Sequence, residues 1–493
     1  SFFDIFALLI TFFVIILSYS HWKYRYWFRK NLPYIQPNFP FGNLENPLRK
    51  TKSKADRIVD WYNELKKKGH KHGGVFNFTT PQYLPTSPDL LRSILIKDFQ
   101  HFTNRNFKTH PKSPLSMNLF QVNGPLWKTL RAKLSPTFTS GKMKMMFETL
   151  VKCTGPFEEA IGHKVKGGSA IDIKEMVSSF TMDVIGSCAF GLEVNSFGDP
   201  DSDFRRHGKG VFEVTTRRKI IFLLMAVCPV LLKILRLGGL NKGGNNFFTD
   251  MVKKTVDYRN QHKITRNDFM QLLMKLNEED EQFDFSLVVG QAFLFFVAGF
   301  ETSSTLMTFC LYELTQHREV QEEVRREILE VLGRYGGKVT YEGVQEMKYL
   351  QQVLDESLRL HPPVEEAHRT CTKPYQIPGT DVTLEENTYV IIPIKALHHD
   401  PEYFPDPLKF DPNRFSPENK GNIHPLTYLP FGDGPRNCIG LRFGLMQAKV
   451  GLVNLLKNYR FTLNERTKVP LQMDPDGLVA TVVGGIWLDG HEI

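Results

Sequence analysis

Between Pro430 and Gly444 the chain reads PFGDGPRNCIGLRFG, one cysteine among four glycines, two arginines and two phenylalanines. Three chemistries compete for such a stretch. A phosphate cradle is excluded: after Gly432 and Gly434 the third glycine falls at the wrong spacing for GxGxxG, and no GK[ST] follows. A cysteine nucleophile needs a positioned base, and nothing in the sequence selects one among 15 histidines. The third is a thiolate ligand to haem iron. A flat macrocycle needs backbone to pass close above it, which Gly432, Gly434 and Gly440 allow. A helix beginning near Ile439 puts unpaired N–H groups and a positive dipole end beside the sulfur, and both favour thiolate. Arg436 can then face a haem propionate.

A second chemical group sits inside an apolar run. Leu287 to Leu314 reads LVVGQAFLFFVAGFETSSTLMTFCLYEL, with Glu301, Thr302, Ser303, Ser304 and Thr305 at its centre. Its flanks, EEDEQFD and HREVQEEVRRE, are not the basic margins of a membrane span, so a long helix buried on all sides fits better. An acid and hydroxyls buried mid-helix cost several kcal/mol unless satisfied, which marks them as a site. The six cysteines, Cys153, Cys188, Cys228, Cys310, Cys371 and Cys438, are all 35 or more residues apart. That leaves no CxxC pair and suits a reducing compartment.

The elements that must carry these groups lie behind a distinctive N-terminus. Phe2 to Leu17 is apolar apart from Asp4 and Thr11, and HWKYRYWFRK follows. The run is slightly short of a bilayer span, and since the chain opens at Ser1 without methionine, a residue or more is expected before it. Lys23, Arg25, Arg29 and Lys30 lie after the run rather than before it, which is the order of a signal anchor with a lumenal N-terminus and a cytosolic body. Pro33, Pro37 and Pro40 make a stiff strap. A second apolar run, Ile220 to Leu232, is too short to span. It reads as a core helix or as a hairpin dipping into the interface with its basic rims at lipid phosphates.

Hydrophobic residues are 41% of the 493, charged residues 23%, and the formal net charge is +9. This is globular composition with a basic excess suited to an anionic partner. Nucleic acid is disfavoured by the lack of finger spacing, a long basic run or an RNA-recognition aromatic motif. Helical patterns dominate, as in EVQEEVRREILEVLG from Glu319 to Gly333, while short strand signals occur at Gly74–Thr80, Leu384–Ile394 and ATVVGGIWL. The expectation is a mainly α fold with small β-sheets: an anchor over 1–22, a basic and proline-rich strap over 23–50, and one large catalytic domain over 51–493.

FGDGPRNCIG resembles the FxxGxRxCxG signature of the cytochrome P450 haem-thiolate monooxygenases, and four further motifs follow that family's order. WKTLR (Trp127–Arg131) resembles its WxxxR helix, AGFETS (Ala298–Ser303) its oxygen-activating motif, and ESLR (Glu356–Arg359) its ExxR motif. FDPNRF (Phe410–Phe415) resembles the aromatic–arginine motif, with Asn413 where Glu is commoner. The wording LRAKLSPTFTSGKMKMMF is similar to the insect microsomal group associated with detoxification.

The resemblance implies insertion of one oxygen atom of O2 into a lipophilic substrate. It also implies haem b ligated by Cys438, with Phe431, Gly434, Arg436 and Gly440 around it and Trp127, Arg131 and, less strictly, Arg369 at the propionates. Thr302 would hydrogen-bond oxygen, Glu301 would lie on the proton path, and Glu356, Arg359 and Arg414 would form a structural triad. Electrons would come from NADPH through a separate flavoprotein reductase, with cytochrome b5 as a second donor, at the endoplasmic reticulum membrane. A haem-thiolate isomerase and a non-enzymatic haem binder are the rivals. The retained Glu301–Thr302 pair speaks against both. Glu365 and Glu366 fall where the family's cavity-lining strand is usually apolar: they either face the cavity, or face solvent or pair with His368.

Overall fold

The computed structural model of the chain describes residues 2–47, 49–105, 107, 109, 113–227 and 242–493. The helices that bear on the site and the anchor are α1 (Phe2–Tyr24), α2 (Lys54–Lys67), α3 (Gly124–Leu134), α4 (Ile173–Ile185), α5 (Thr216–Val227), α6 (Phe285–Gln316), α7 (Arg318–Arg334), α8 (Lys348–Leu360) and α9 (Leu441–Leu456). Local sequence starts several of them. Ser53 and Asp56 form a reciprocal capping box on α2. The Asp172 and Asp284 side chains accept the Glu175 and Leu287 N–H groups at the starts of α4 and α6.

The strands are β1 (His72–Asn77), β2 (Thr80–Pro85), β3 (Ile171–Asp172), β4 (Ala367–Thr370), β5 (Tyr375–Gln376), β6 (Thr383–Leu384), β7 (Tyr389–Ile392), β8 (Tyr459–Leu463) and β9 (Trp487–Glu492). They form sheets ordered β1-β2-β7-β4, β3-β9-β8 and β5-β6. The mainly helical fold with small sheets is as the sequence implies. The strand expected over Leu384–Ile394 is divided between β6 and β7 by a turn in which Asn387 has φ +67°. The expected strand ATVVGGIWL is broken at Gly484 and Gly485, both with positive φ, leaving a lone bridge at Val482 and the start of β9.

The main core surrounds α6. Its side chains from Leu287 to Phe300 and Ser303 to Leu314 are mostly buried against α4, α9 and β8. So α6, though long and apolar enough to cross a membrane, is an interior element. α1 is the reverse case. Phe2 and Phe3 are each 81% exposed, and no residue of its apolar stretch is buried by the fold. Its continuation docks firmly: Trp27 is fully buried, its Nε1 donating to the Val75 carbonyl at 3.3 Å, and Lys30 pairs with Glu385 at 2.7 Å. A Cβ at Gly74 would lie 2.3 Å from the Trp27 ring, so β1 needs glycine there to admit the indole. The second apolar run, Ile220–Leu232, begins within α5, and its part from 228 onward lies outside the described residues.

Candidate functional site: a thiol among arginines

The loop bearing Cys438 is closed by its own backbone. Gly432 N–H donates to Leu429 O at 3.0 Å, Asn437 N–H to Gly434 O at 3.0 Å, and Cys438 N–H to Phe431 O at 2.8 Å. Asp433 caps the turn by accepting the Gly434 N–H at 2.6 Å. Two side chains pin the loop from outside. His398 Nε2 accepts the Leu429 N–H at 2.8 Å, and Arg131 on α3 donates to Asn437 O at 2.8 Å and Asn437 Oδ1 at 2.6 Å. α9 starts at Leu441, two residues after the helix start read from sequence, with no side chain capping it.

Cys438 is solvent-accessible in the protein alone, although protein atoms crowd around its thiol. Burial raises its pKa. The Gly440 N–H and the charges of Arg131 and Arg105 act in the opposite direction and favour thiolate. Gly434 also has a packing role. Its φ is +71° and a Cβ would meet the Leu95 carbonyl oxygen at 1.9 Å, so it lets the loop pack on the neighbouring turn. At Gly440 a Cβ would meet only Phe138, at 3.9 Å.

Four guanidinium groups gather beside this thiol. Arg436 is 3% exposed and lies 4.4 Å over the Trp127 ring, with one donor on the Val122 carbonyl at 2.8 Å. Its Nε and Nη1 are buried without partners, as is the Nε of Arg369. Arg105 donates to the Arg436 carbonyl at 3.3 Å. Burial lowers all four pKa values: to about 9 in Arg436, where Arg369 and Arg131 add repulsion, and to about 10 in Arg369. Arg131 is lowered, and Arg105 well below its usual value, with repulsion from Arg369 and Arg436 contributing. None of the four pairs with a carboxylate among the described residues. Buried like charges at this density are costly and are relieved by an anionic group.

On α6, the Thr302 hydroxyl donates to the Ala298 carbonyl at 2.7 Å. Glu301 pairs with Lys174 of α4 at 2.9 Å. Behind the loop, Glu356 and Arg359 are fully buried and joined by two hydrogen bonds of 2.7 and 2.8 Å. Arg359 also donates to the carbonyls of His398, Pro407 and Lys409, and Arg414 lies 3.4 Å from Glu356.

Residues 37–487 match the family described as Cytochrome P450. The chain belongs to that family. It is 42% identical over 486 residues to the probable cytochrome P450 6a13 of Drosophila melanogaster, covering 98% of both chains. It is 39% identical over 489 residues to cytochrome P450 6a2 of the same species, covering 96% of both. A P450 is a haem-thiolate monooxygenase that uses O2 and electrons delivered from NADPH through a reductase.

The residues present fit haem. Among the described residues no group of three or more His, Cys, Asp or Glu could hold a bare metal ion. The unpartnered donors of Arg369 and Arg436 suit the two carboxylates on one edge of that macrocycle. Every site residue expected from the P450 motifs lies in this region or on α6. Sequence reading missed three others: Arg105, Lys174 and His398. None falls in a recognisable motif, and each acts through a contact distant in sequence.

Glu365 and Glu366 do not stand unpaired. Glu366 bonds His368 at 3.0 Å and Lys54 at 2.7 Å, and Glu365 pairs with Lys395, which also holds Asp56. The pairing with His368 is the second of the two sequence readings. A cleft of about 380 Å³ lined by Lys254, Tyr258, Arg259 and Arg266 shares no residue with the P450 site.

Proposed function

We propose that this P450 is anchored in the endoplasmic reticulum membrane by α1 with its body in the cytosol, and that it oxygenates lipophilic foreign compounds. Plant toxins and insecticides are the leading class, and endogenous hormones or lipids a second. Its domains are the anchor over 1–22, the strap over 23–50 and the catalytic domain from 51 onward. Electrons arrive from an NADPH–cytochrome reductase, with cytochrome b5 as an additional donor. The observation that carries the site reading is the exposed Cys438 beside four guanidinium groups, those of Arg369 and Arg436 buried, with no carboxylate of their own among the described residues.

In this reading Cys438 would hold the haem iron, and Gly440 N–H and the charges of Arg131 and Arg105 would favour its thiolate against the burial that raises its pKa. Arg436 and Arg369 bind the propionates with their unpartnered donors, and Arg105 adds charge to the same edge. Trp127 packs under Arg436. Arg131 reaches that edge while holding Asn437, and so fixes the ligand loop. Bound haem supplies the iron at which O2 is reduced and one oxygen atom enters the substrate, the other leaving as water. Thr302 would present its hydroxyl from α6 and Glu301 would carry protons toward it.

Cys438→Ser tests the ligand assignment. The thiolate-type Soret band of the reduced carbon monoxide complex should vanish together with oxygenation. A persisting band would refute it. Steady NADPH consumption with an oxygenated product, in the presence of reductase, separates a monooxygenase from a haem-thiolate isomerase and from a passive haem binder.

A further inference from the structure

Gln291 is a fully buried polar side chain on α6, eleven residues before Thr302. Both ends of its amide are used. Oε1 accepts the Leu119 N–H at 2.8 Å, and Nε2 donates to the Met117 carbonyl at 2.8 Å. An amide offers a donor and an acceptor on one planar group, so it pairs with these two backbone groups at once. The residue before it lets the two backbones touch: a Cβ at Gly290 would lie 2.4 Å from the Met117 carbonyl oxygen and 2.8 Å from that of Pro114. The clamped segment runs on to the guanidinium groups. The Asn118 side chain accepts the Phe120 and Gln121 N–H groups at 3.0 and 3.1 Å and donates to the Leu115 carbonyl at 2.7 Å. The Val122 carbonyl then accepts from Arg436 at 2.8 Å. Residues 117–122 are therefore a short bridge with one end on α6 and the other beside the Cys438 loop. Phe120 is the aromatic side chain it presents, 43% exposed, with Arg105 at 4.2 Å over its ring and the Phe107 ring at 5.3 Å.

Eleven residues of helix bring Gln291 and Thr302 to within about 20° of the same face, about 16.5 Å apart along the axis. Ala298, one turn before Thr302 on that face, is exposed. Holding the bridge at Gln291 thus sets how far the Phe120 ring stands from the face along which a substrate must lie to meet oxygen near Thr302. We propose that Gln291 is a positioning residue for substrate selection: by clamping Met117 and Leu119 it makes Phe120 a rigid aromatic wall, and the space left against α6 favours flat aromatic substrates over globular ones of equal size. The proposal rests on the reading of the Cys438 loop and Thr302 as the haem site. A ring already held in place makes stacked or edge contacts with a flat arene at no cost of ordering. A globular hydrocarbon has to push the ring aside, against both amide hydrogen bonds.

Naphthalene and adamantane have equal carbon counts and separate flatness from size. The test uses the full chain with haem and reads the dissociation constant of each probe from the Soret shift it induces. The parent should bind naphthalene more tightly. In Gln291→Met, which roughly keeps the side-chain volume and loses both bonds, the preference should fall about tenfold, the equivalent of one hydrogen bond's worth of order. Gly290→Ala keeps the glutamine but forces the Met117 carbonyl away, and should lower the preference in the same direction. The thiolate-type carbon monoxide band should persist in both variants. Phe120→Ala should lower the preference by itself, and adding Gln291→Met to it should change little more, because one residue acts through the other. Hydrogen exchange over residues 113–122 should be slow in the parent and about tenfold faster in Gln291→Met. A parent-like preference in Gln291→Met and Gly290→Ala overturns the proposal, as do additive effects of Phe120→Ala and Gln291→Met. Rapid exchange of the segment in the parent overturns it without any variant, and so does not depend on whether Gln291→Met folds. A thiolate band that survives Cys438→Ser would instead sink the haem-site reading, a failure that none of the probe preferences can mimic.

Discussion

Thr302 is a small residue with one hydrogen bond to lose. Its hydroxyl hydrogen goes to the Ala298 carbonyl at 2.7 Å, an i to i−4 bond that leaves the oxygen lone pairs open on the same face. Thr302→Ala removes that bond, worth roughly 0.5–1.5 kcal/mol, from a half-buried helix position that tolerates alanine well. The fold and haem binding should survive. Coupling should not: peroxide should be released in place of product, measured as the peroxide-to-product ratio at fixed NADPH consumption. The neighbouring hydroxyl is not a substitute. Ser303 is buried, and its Oγ lies 3.6 Å from where a side chain on Gly444 would begin, so it faces α9. An unchanged ratio in Thr302→Ala would therefore assign oxygen positioning to a group other than either hydroxyl.

Between elements, His398 ties the cysteine loop to the end of α8, and His399 bonds the same helix end. His398 accepts the Leu429 N–H, and its other ring nitrogen lies 3.1 Å from the Arg359 carbonyl. His399 Nε2 lies 2.9 Å from the Leu360 carbonyl. Burial pushes His398 well below the ordinary histidine range and His399 down to about 4. Both are neutral in the fold, whereas an unfolded histidine titrates near 6.5. Stability from these rings is therefore complete above about pH 6.5 and drains as pH falls toward the folded values, at about 1.4 kcal/mol per pH unit per ring. Asp183, which burial raises to about 6, works in the opposite direction over the same window but is common to parent and variant. His399→Asn should thus narrow the gap between urea midpoints at pH 7 and pH 5. An unchanged gap would mean that the ring titrates in the fold as it does in the unfolded chain. These ties also mark the limit of what the sequence discloses. The ligand loop, α6 and the ExxR pair on α8 are each spelled within a few adjacent residues, and the structure places each on the expected kind of element. Lys174 meets Glu301 across 127 residues, and Arg105 meets Arg436 across 331. No local periodicity encodes a partner at that separation. The two overlong strands fail for the opposite reason: their apolar pattern runs on past the point where Asn387, Gly484 and Gly485 supply the positive φ that ends a strand.

At the scale of the whole molecule, the covalent anchor and the folded body overlap. Trp27 lies beyond the apolar stretch of α1, yet is buried in the sheet core. Deleting residues 1–22 should leave the urea midpoint of the body unchanged, while deleting 1–30 should lower its stability by roughly 3–5 kcal/mol for the lost indole. Residual membrane binding of either truncated chain, measured by flotation, would come from the apolar run that begins in α5. The net charge of +9 bears on the second large partner, the reductase. Of the six basic residues Lys128, Arg131, Lys133, Lys142, Lys144 and Arg442, on or near α3 and after Cys438 in the sequence, the structure engages three. Arg131 holds Asn437, Lys133 is paired with Asp280, and Lys144 with Glu342. Lys128, Lys142 and Arg442 are exposed, and Arg442 reaches Ser140, at the start of the helix that carries Lys142, at 3.4 Å. Lys128 precedes Arg131 by one turn on α3, so these charges border the Cys438 loop, which in the function proposed above is where electrons enter. Rim charges act mainly on association rate and are screened over a Debye length of roughly 8 Å at physiological salt. Reversing Lys128 and Arg442 to Glu should therefore raise the reductase concentration needed for half-maximal turnover, and the defect should shrink as salt rises. Reversing the already paired Lys144 should have a smaller effect, since Glu342 beside it has partly cancelled its field. Turnover driven by added peroxide bypasses the reductase and should be unchanged in each variant. A parallel loss of peroxide-driven turnover would place the damage at the haem site and remove the support for docking on this face.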